Sequence, residues 1–284
     1  MPLVSMEGML GAAQAGGYAV GAFNILDENS LRAVLQAAEE LAAPVIVQTS
    51  VKTVEFWGAE TIAGWVRARA ARSPAPVALH LDHCTSPAFL QQCIDAGWTS
   101  VMIDASSMPF AENLAVTREV VAAARPAGVS VEAEMGRIAG VEEDLATDEA
   151  YLADPAEAEA LCAGMGLAAF APAVGTAHGL YTGEPKIAFD RLAEIARRTG
   201  TPIALHGGTG LSDEVLRRCI ALGCAKINIS TALKHAFVDG FVEPFLSQRK
   251  YDPLKLLRAQ FERLRDTVSA HIQLFGGAGR AAQG

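Results

Sequence analysis

An apolar run, Val77-Ala78-Leu79-His80-Leu81, ends in Asp82 and His83, a carboxylate and an imidazole placed where burial penalises both. A strand covered on both faces is expected to be Val, Leu and Ile throughout, so ionisable groups at its end mark a site. Two later runs end the same way. Ala171 to Gly175 leads into Thr176-Ala177-His178-Gly179, and Pro202-Ile203-Ala204-Leu205 leads into His206-Gly207-Gly208. One such histidine would ordinarily be a satisfied core group. Three at the same ends of three strands can converge on one metal ion, which would give it three neutral nitrogens and leave a position open for water or substrate. Zinc is the preferred ion, and cobalt or iron would also accept imidazole ligands.

The neighbouring polar residues divide by chemistry. Asp82, beside a metal ligand, suits general acid/base work, while Asp104 and Glu134 suit outer partners of the ligands or a second, alternative metal set. Gly179, Gly207, Gly208 and Gly210 let backbone N–H groups approach an oxyanion, and Asn228-Ile229-Ser230-Thr231 stands at a strand end that opens a helix. Together these two loops predict a phosphate site. His80 is expected to face a core layer, and His235 and His271 to lie in helices. Cys84 reads as packing. The run Ala139-Gly140-Val141-Glu142-Glu143-Asp144 reads, on spacing alone, as a solvated polar loop. Lys226 shares a strand face with Asn228 and reads either as a Schiff-base amine or as half of a buried ion pair.

The elements that must position these residues are eight strand-like runs: 19–24, 44–50, 77–83, 100–106, 130–136, 168–175, 202–208 and 225–231. Between them lie helical patterns such as 29–42, 87–96, 111–124, 155–165, 189–199 and 213–222, with Ser86-Pro87, Asp154-Pro155 and Ser212-Asp213 as start signals and Gly97, Gly200 and Gly223 as stops. Eight β/α units predict one closed (β/α)8 barrel over 1–284. A doubly wound sheet would want G-x-G-x-x-G after the first strand, where Asn24-Ile25-Leu26-Asp27 stands. In a barrel the C-terminal rim would gather Asn24, Ser50, Asp82, His83, Asp104, Glu134, His178, His206, Asn228 and Ser230. Helices from 231 and from 252 extend the barrel, the latter with a stripe of Leu256, Leu257, Phe261, Leu264, Val268 and Ile272. The tail Gly276-Gly277-Ala278-Gly279-Arg280 is expected to be mobile.

Composition bounds the function. The 284 residues carry a net charge of −9 and are 51% hydrophobic and 19% charged, which argues for a large aliphatic core and against a nucleic-acid surface. The start lacks the pattern of a signal peptide and no run of ~20 apolar residues appears, so no membrane partner and a cytoplasmic location are expected. Five cysteines without a C-x-x-C pair agree with reduced thiols.

His80-Leu81-Asp82-His83, Pro109-Phe110-Ala111-Glu112-Asn113, Val131-Glu132-Ala133-Glu134, Gly175-Thr176-Ala177-His178-Gly179, His206-Gly207-Gly208-Thr209-Gly210 and Lys226-Ile227-Asn228 resemble the class II, metal-dependent ketose-bisphosphate aldolases, of tagatose as much as of fructose type. The resemblance implies zinc on His83, His178 and His206, and Asp82 as acid/base at the C4 oxygen. It also implies that Glu142, in a mobile loop, exchanges the proton of dihydroxyacetone phosphate, against the solvated-loop reading. Gly179, Gly207, Thr209, Asn228, Ser230 and Thr231 match positions that bind the dihydroxyacetone phosphate half, with a monovalent cation, Na+ or K+, often supporting its phosphate. A homodimer or homotetramer acting on a small phosphorylated sugar is implied. Ala139 before Gly140, Gly208-Thr209 in place of Ala-Ser, and Ser107 in place of His depart from the pattern. Arg280 is a candidate for the distal 6-phosphate, across a subunit interface if the chain dimerises. The rival readings are a Schiff-base aldolase on Lys226, a metal-dependent hydrolase, an aldolase for another phosphorylated ketose or a deoxy sugar-acid phosphate, and a non-catalytic barrel subunit of an aldolase complex.

Overall fold

Short runs of Val, Ile, Leu and Ala, closed by glycines and opened by capping Ser and Asp residues, build alternating strands and helices in the computed structural model, which describes residues 3–142, 145–147, 151–179, 181 and 183–281. In order these are α1 (Met6–Gly16), β1 (Val20–Asn24), α2 (Glu28–Glu40), β2 (Val45–Ser50), α3 (Val51–Trp57), α4 (Ala59–Ala70), β3 (Val77–Cys84) and α5 (Pro87–Ala96). Then come β4 (Ser100–Ile103), α6 (Phe110–Ala124), β5 (Ser130–Met135), β6 (Ala139–Glu142), β7 (Leu145–Thr147), α7 (Pro155–Cys162), β8 (Ala169–Pro172) and β9 (Ala177–His178). The chain continues with α8 (Phe189–Thr199), β10 (Ile203–Leu205), α9 (Asp213–Ala221), β11 (Cys224–Ile229), α10 (Thr231–Gln248) and α11 (Pro253–Leu274). The expected caps form: Ser86, Asp154 and Ser212 each accept a backbone N–H from the first turn of α5, α7 and α9.

Eight parallel strands close into a barrel in the order β1-β11-β10-β8-β5-β4-β3-β2. Alternate residues face in and out along each strand. Outward residues such as Phe23, Val47, Leu79, Leu81, Phe170 and Ile227 join the helices in the main apolar core. Inward, Val20, Ala22, Ile46, Ala78, Ala171 and Ala204 pack with Met6, Met9, Leu10 and Ala13 of α1. That helix closes the N-terminal end of the barrel, tied by Val4 N–H to the Val77 carbonyl (2.9 Å) and Met6 N–H to Ser130 Oγ (3.0 Å). On the outside, α11 buries Leu256, Leu264, Val268 and Ile272, and its Gln260 accepts from Asn29 of α2 at 2.9 Å.

Two expectations change. The described part of the run after β5, Ala139–Glu142, is strand rather than irregular loop: β6 pairs antiparallel with β7 and parallel with β9, giving a small second sheet. Nor is the tail unanchored. Gly279 N–H donates to the Leu41 carbonyl at 2.8 Å and Ala281 N–H to that of Ala42 at 2.7 Å, at the N-terminal end of β2. Several strands also stop short of their expected ends, β4 at Ile103 and β10 at Leu205, so that Asp104 and His206 stand just beyond the ladder. Among the described residues no helix is long and apolar enough to cross a membrane.

Candidate active site

Adjacent strand residues normally point to opposite faces, yet Asp82 and His83 both serve the barrel mouth. The register between β3 and β4 slips between Leu81 and Cys84, where three steps on β3 match two on β4, and His83 takes a left-handed φ of 46°. This bulge turns the second side chain to the same side as the first. A non-glycine residue in that conformation stores strain that the surrounding contacts must hold, as is common at functional sites. Asp82, 2% exposed, is held by amides from three strands: Gln48 at 2.8 Å and Asn24 at 3.3 Å on one oxygen, and Asn228 at 3.1 Å on the other.

The histidines are oriented by carboxylates. His83 Nδ1 lies 2.8 Å from Asp104 Oδ2, and His206 Nε2 lies 2.8 Å from Glu132 Oε1. With each outer N–H donated to a carboxylate, the inner nitrogens, His83 Nε2 and His206 Nδ1, turn lone pairs toward each other 2.8 Å apart. Burial, and then the adjacent His83, lower the His206 pKa despite its contact with Glu132, which disfavours a proton between the rings. A metal cation resolves that repulsion. His178, from β9, brings its ring centroid to 5.0 Å from that of His83, and the ligand atoms of all three imidazoles lie within 4.8 Å of one another. The three residues therefore fit a metal with N ligands. His83, Asp104 and Glu134 meet the same distance limit as an alternative set, with Glu134 Oε2 3.4 Å from His206 Nδ1. Burial would raise the Asp104 carboxyl, but hydrogen bonds from His83 and Ser106 outweigh it and hold it below the usual carboxylate range.

One layer deeper, Lys226 and Glu132 are fully buried and pair at 2.9 Å. Glu132 also faces His80, whose Nδ1 meets Ser100 Oγ at 2.8 Å. Burial pushes the His80 pKa well down and works against ionised Glu132, which the Lys226 charge and the His206 hydrogen bond then restore. Lys226 is thus an ion-pair partner without access to substrate, and the Schiff-base alternative loses its amine.

Beside the histidines, a small cavity is lined by His178, Gly179, Gly207, Gly208, Thr209, Asn228, Ser230 and Thr231, the residues expected to bind a phosphate, together with Lys234. A Cβ on Gly207, at φ +67°, would stand 2.4 Å from the Ala177 carbonyl oxygen, so only glycine lets the two turns meet. A larger cavity of about 550 Å³ adjoins it through Ser230 and Lys234 and holds Asn24 and Ser50, with Phe56, Trp57 and Phe237 as an apolar wall.

Residues 4–280 match the family model of class-II fructose-bisphosphate aldolase. The chain belongs to that family. It is similar to fructose-bisphosphate aldolases of Staphylococcus aureus strain Mu50 (42% identity, 99% of this chain and 100% of the relative) and Geobacillus stearothermophilus (42%, with full coverage of both). Among solved structures it resembles the YdjI aldolase from Escherichia coli K12, with a TM-score of 0.88 and 30% identity over 98% of this chain and 99% of that one. The protein is an aldolase, a carbon–carbon lyase.

In this aldolase the structure gathers every expected site residue at the C-terminal mouth except two. Glu142 has its backbone in β6, whose Gly140 pairs with His178, while its side chain lies outside the described residues. Arg280 sits at the opposite end of the barrel, its guanidinium 5.1 Å from the Tyr18 ring centroid, and cannot serve the site of its own chain. Gln48 and Lys234 escaped the sequence reading. Each had a signal: Gln48 is a polar residue directly after the apolar run Val45-Ile46-Val47, and Lys234 lies one helical turn after Ser230.

Proposed function

We propose that this aldolase reversibly cleaves a ketose 1,6-bisphosphate, of fructose or tagatose configuration, to dihydroxyacetone phosphate and glyceraldehyde 3-phosphate. His83, His178 and His206 would hold one zinc ion per subunit. The observation that carries the reading is the meeting of three imidazoles, two with inward lone pairs, beside Asp82 and a glycine-lined cradle. A bound zinc would act as a Lewis acid toward the negative charge that develops when the C3–C4 bond breaks. Asp82, aimed by three amides, removes the C4 hydroxyl proton, and Glu142 returns a proton to the three-carbon fragment. The amides at Gly179 and Gly207 and the hydroxyls of Thr209, Ser230 and Thr231 hold the 1-phosphate, with Na+ or K+ as a supporting cation. Asn24 and Ser50 take the aldehyde half. Residues 1–284 act as one barrel unit in a cytoplasmic homodimer or homotetramer. The exposed stripe of Val238, Val242 and Leu246 on α10 supports assembly, and five buried free cysteines agree with a reducing compartment.

Coupled detection of dihydroxyacetone phosphate tests this reading. Chelation should abolish cleavage and zinc should restore it, with no borohydride-trapped adduct on Lys226. Activity that survives complete metal removal would sink the metal assignment. Side-by-side kcat/KM values for the two bisphosphates and a panel of other phosphorylated ketoses and deoxy sugar-acid phosphates then rank the substrates.

A further inference from the structure

We propose that Tyr181 is a positioning residue that ties the turn carrying His178 to the turn carrying His206 and so holds the phosphate cradle between them in shape; this rests on the aldolase reading of the site. The Tyr181 hydroxyl accepts the Ala177 N–H at 3.0 Å and donates to the Gly207 carbonyl at 2.8 Å. Ala177 precedes one expected metal ligand and Gly207 follows another. A single hydroxyl can make both bonds because it is donor and acceptor at once, and phenylalanine can make neither.

The geometry leaves the work to this side chain. The two turns touch through backbone at Gly207, where a Cβ would lie 2.4 Å from the Ala177 oxygen, so no side chain fits directly between them. Tyr181 ties them from the flank instead. Its ring packs against the apolar core and lies beside Gly210, where a Cβ would stand 3.1 Å from Cδ2. On its other edge the His178 turn is held by β6 through the Gly140 pairing. Both turns line the cradle, His178 and Gly179 from one and Gly207, Gly208 and Thr209 from the other. Backbone donors bind an oxyanion well only when they are aimed before it arrives, so loosening the tie keeps the donors and loses their aim. The same tie fixes the spacing of two imidazoles, as outer partners of metal ligands commonly do.

The test is Tyr181→Phe in the full chain. Zinc affinity is read by chelator competition, inorganic phosphate affinity is titrated on both metal-free and zinc-loaded protein, and kcat and KM are measured for the bisphosphate. Zinc affinity should fall about tenfold or more. Phosphate affinity should fall in the metal-free chain as well, which separates the cradle from the metal, and KM should rise by a larger factor than kcat falls. A folded variant with wild-type zinc and phosphate affinities would overturn the proposal, as would a loss confined to the thermal midpoint. Neither titration uses a sugar, so the outcome does not depend on which ketose is cleaved. A wild-type chain that binds neither zinc nor phosphate would overturn the functional reading itself.

Discussion

At the N-terminal end of the barrel, Met6, Leu10 and Ala13 of α1 lie against Val20, Ala22, Ile46 and Ala78, whereas the next inward residues of the same strands are Asn24, Gln48, His80 and Asp82. The first set is assembled by non-directional burial, which tolerates small shifts. The second must satisfy each group individually: Asp82 takes three amides, His83 a carboxylate, and Glu132 a lysine and two imidazoles. Between them the Lys226–Glu132 pair forms a boundary layer, structural by its burial and functional by its contact with His206. The contrast teaches that one strand can serve stability at its start and chemistry at its end, so substitutions along it should change the quantity they damage.

Asp82→Asn should show the largest effect at the polar end, a loss of ~10²- to 10⁴-fold in cleavage with zinc content retained. Exchange of the dihydroxyacetone phosphate proton should survive in that variant and be impaired in Glu142→Gln. Equal loss of exchange in both would break the division between the two carboxylates. In the boundary layer, Lys226→Met leaves a buried carboxylate without its partner and should cost ~3–5 kcal/mol of stability by denaturant unfolding. Unchanged stability would show that the pair is not the structural layer described.

At the apolar end, Leu10→Ala should cost ~2–4 kcal/mol of stability while leaving kcat per folded molecule at the wild-type value. A fall in kcat there would mean that the two ends are not separable. The smallest effect belongs to Arg280→Ala, which gives up a cation–π contact with Tyr18 and should cost about 0.5–1 kcal/mol in thermal unfolding. Within its own chain Arg280 does not reach the site, so kcat/KM on a 1-phosphate analogue should stay level. A selective loss on the bisphosphate would bring a neighbouring subunit's tail to the site, as the resemblance implies, and level values on both substrates would keep the residue at its own end of the barrel.

The barrel was legible because its strands lie in short apolar runs of similar spacing between capped helices, and the histidines because each interrupts such a run at the same end. Gln48 was hidden by that same logic, as a buried polar residue in mid-strand looks like noise until Asp82 is seen to need it. The β6 strand was hidden because its partner His178 is remote in sequence, and a pairing of that kind leaves no periodicity in a run as short as Ala139 to Glu142. The tail misled because Gly276, Gly277 and Gly279 read as freedom, whereas Gly276 and Gly279 adopt φ of +75°, and Gly279 and Ala281 hydrogen bond to the turn before β2.

By itself the sequence determined the alternation of eight strands with helices, the polar strand ends and the glycine turns, since these follow from local propensity, capping and the cost of burying charge. Only the tertiary structure decided that a bulge turns both Asp82 and His83 into the mouth, that Asp104 and Glu132 set which ring nitrogens face inward, and that Lys226 is spent on an ion pair. Those depend on which distant groups come within hydrogen-bonding distance, a property of barrel closure and register that no single segment encodes.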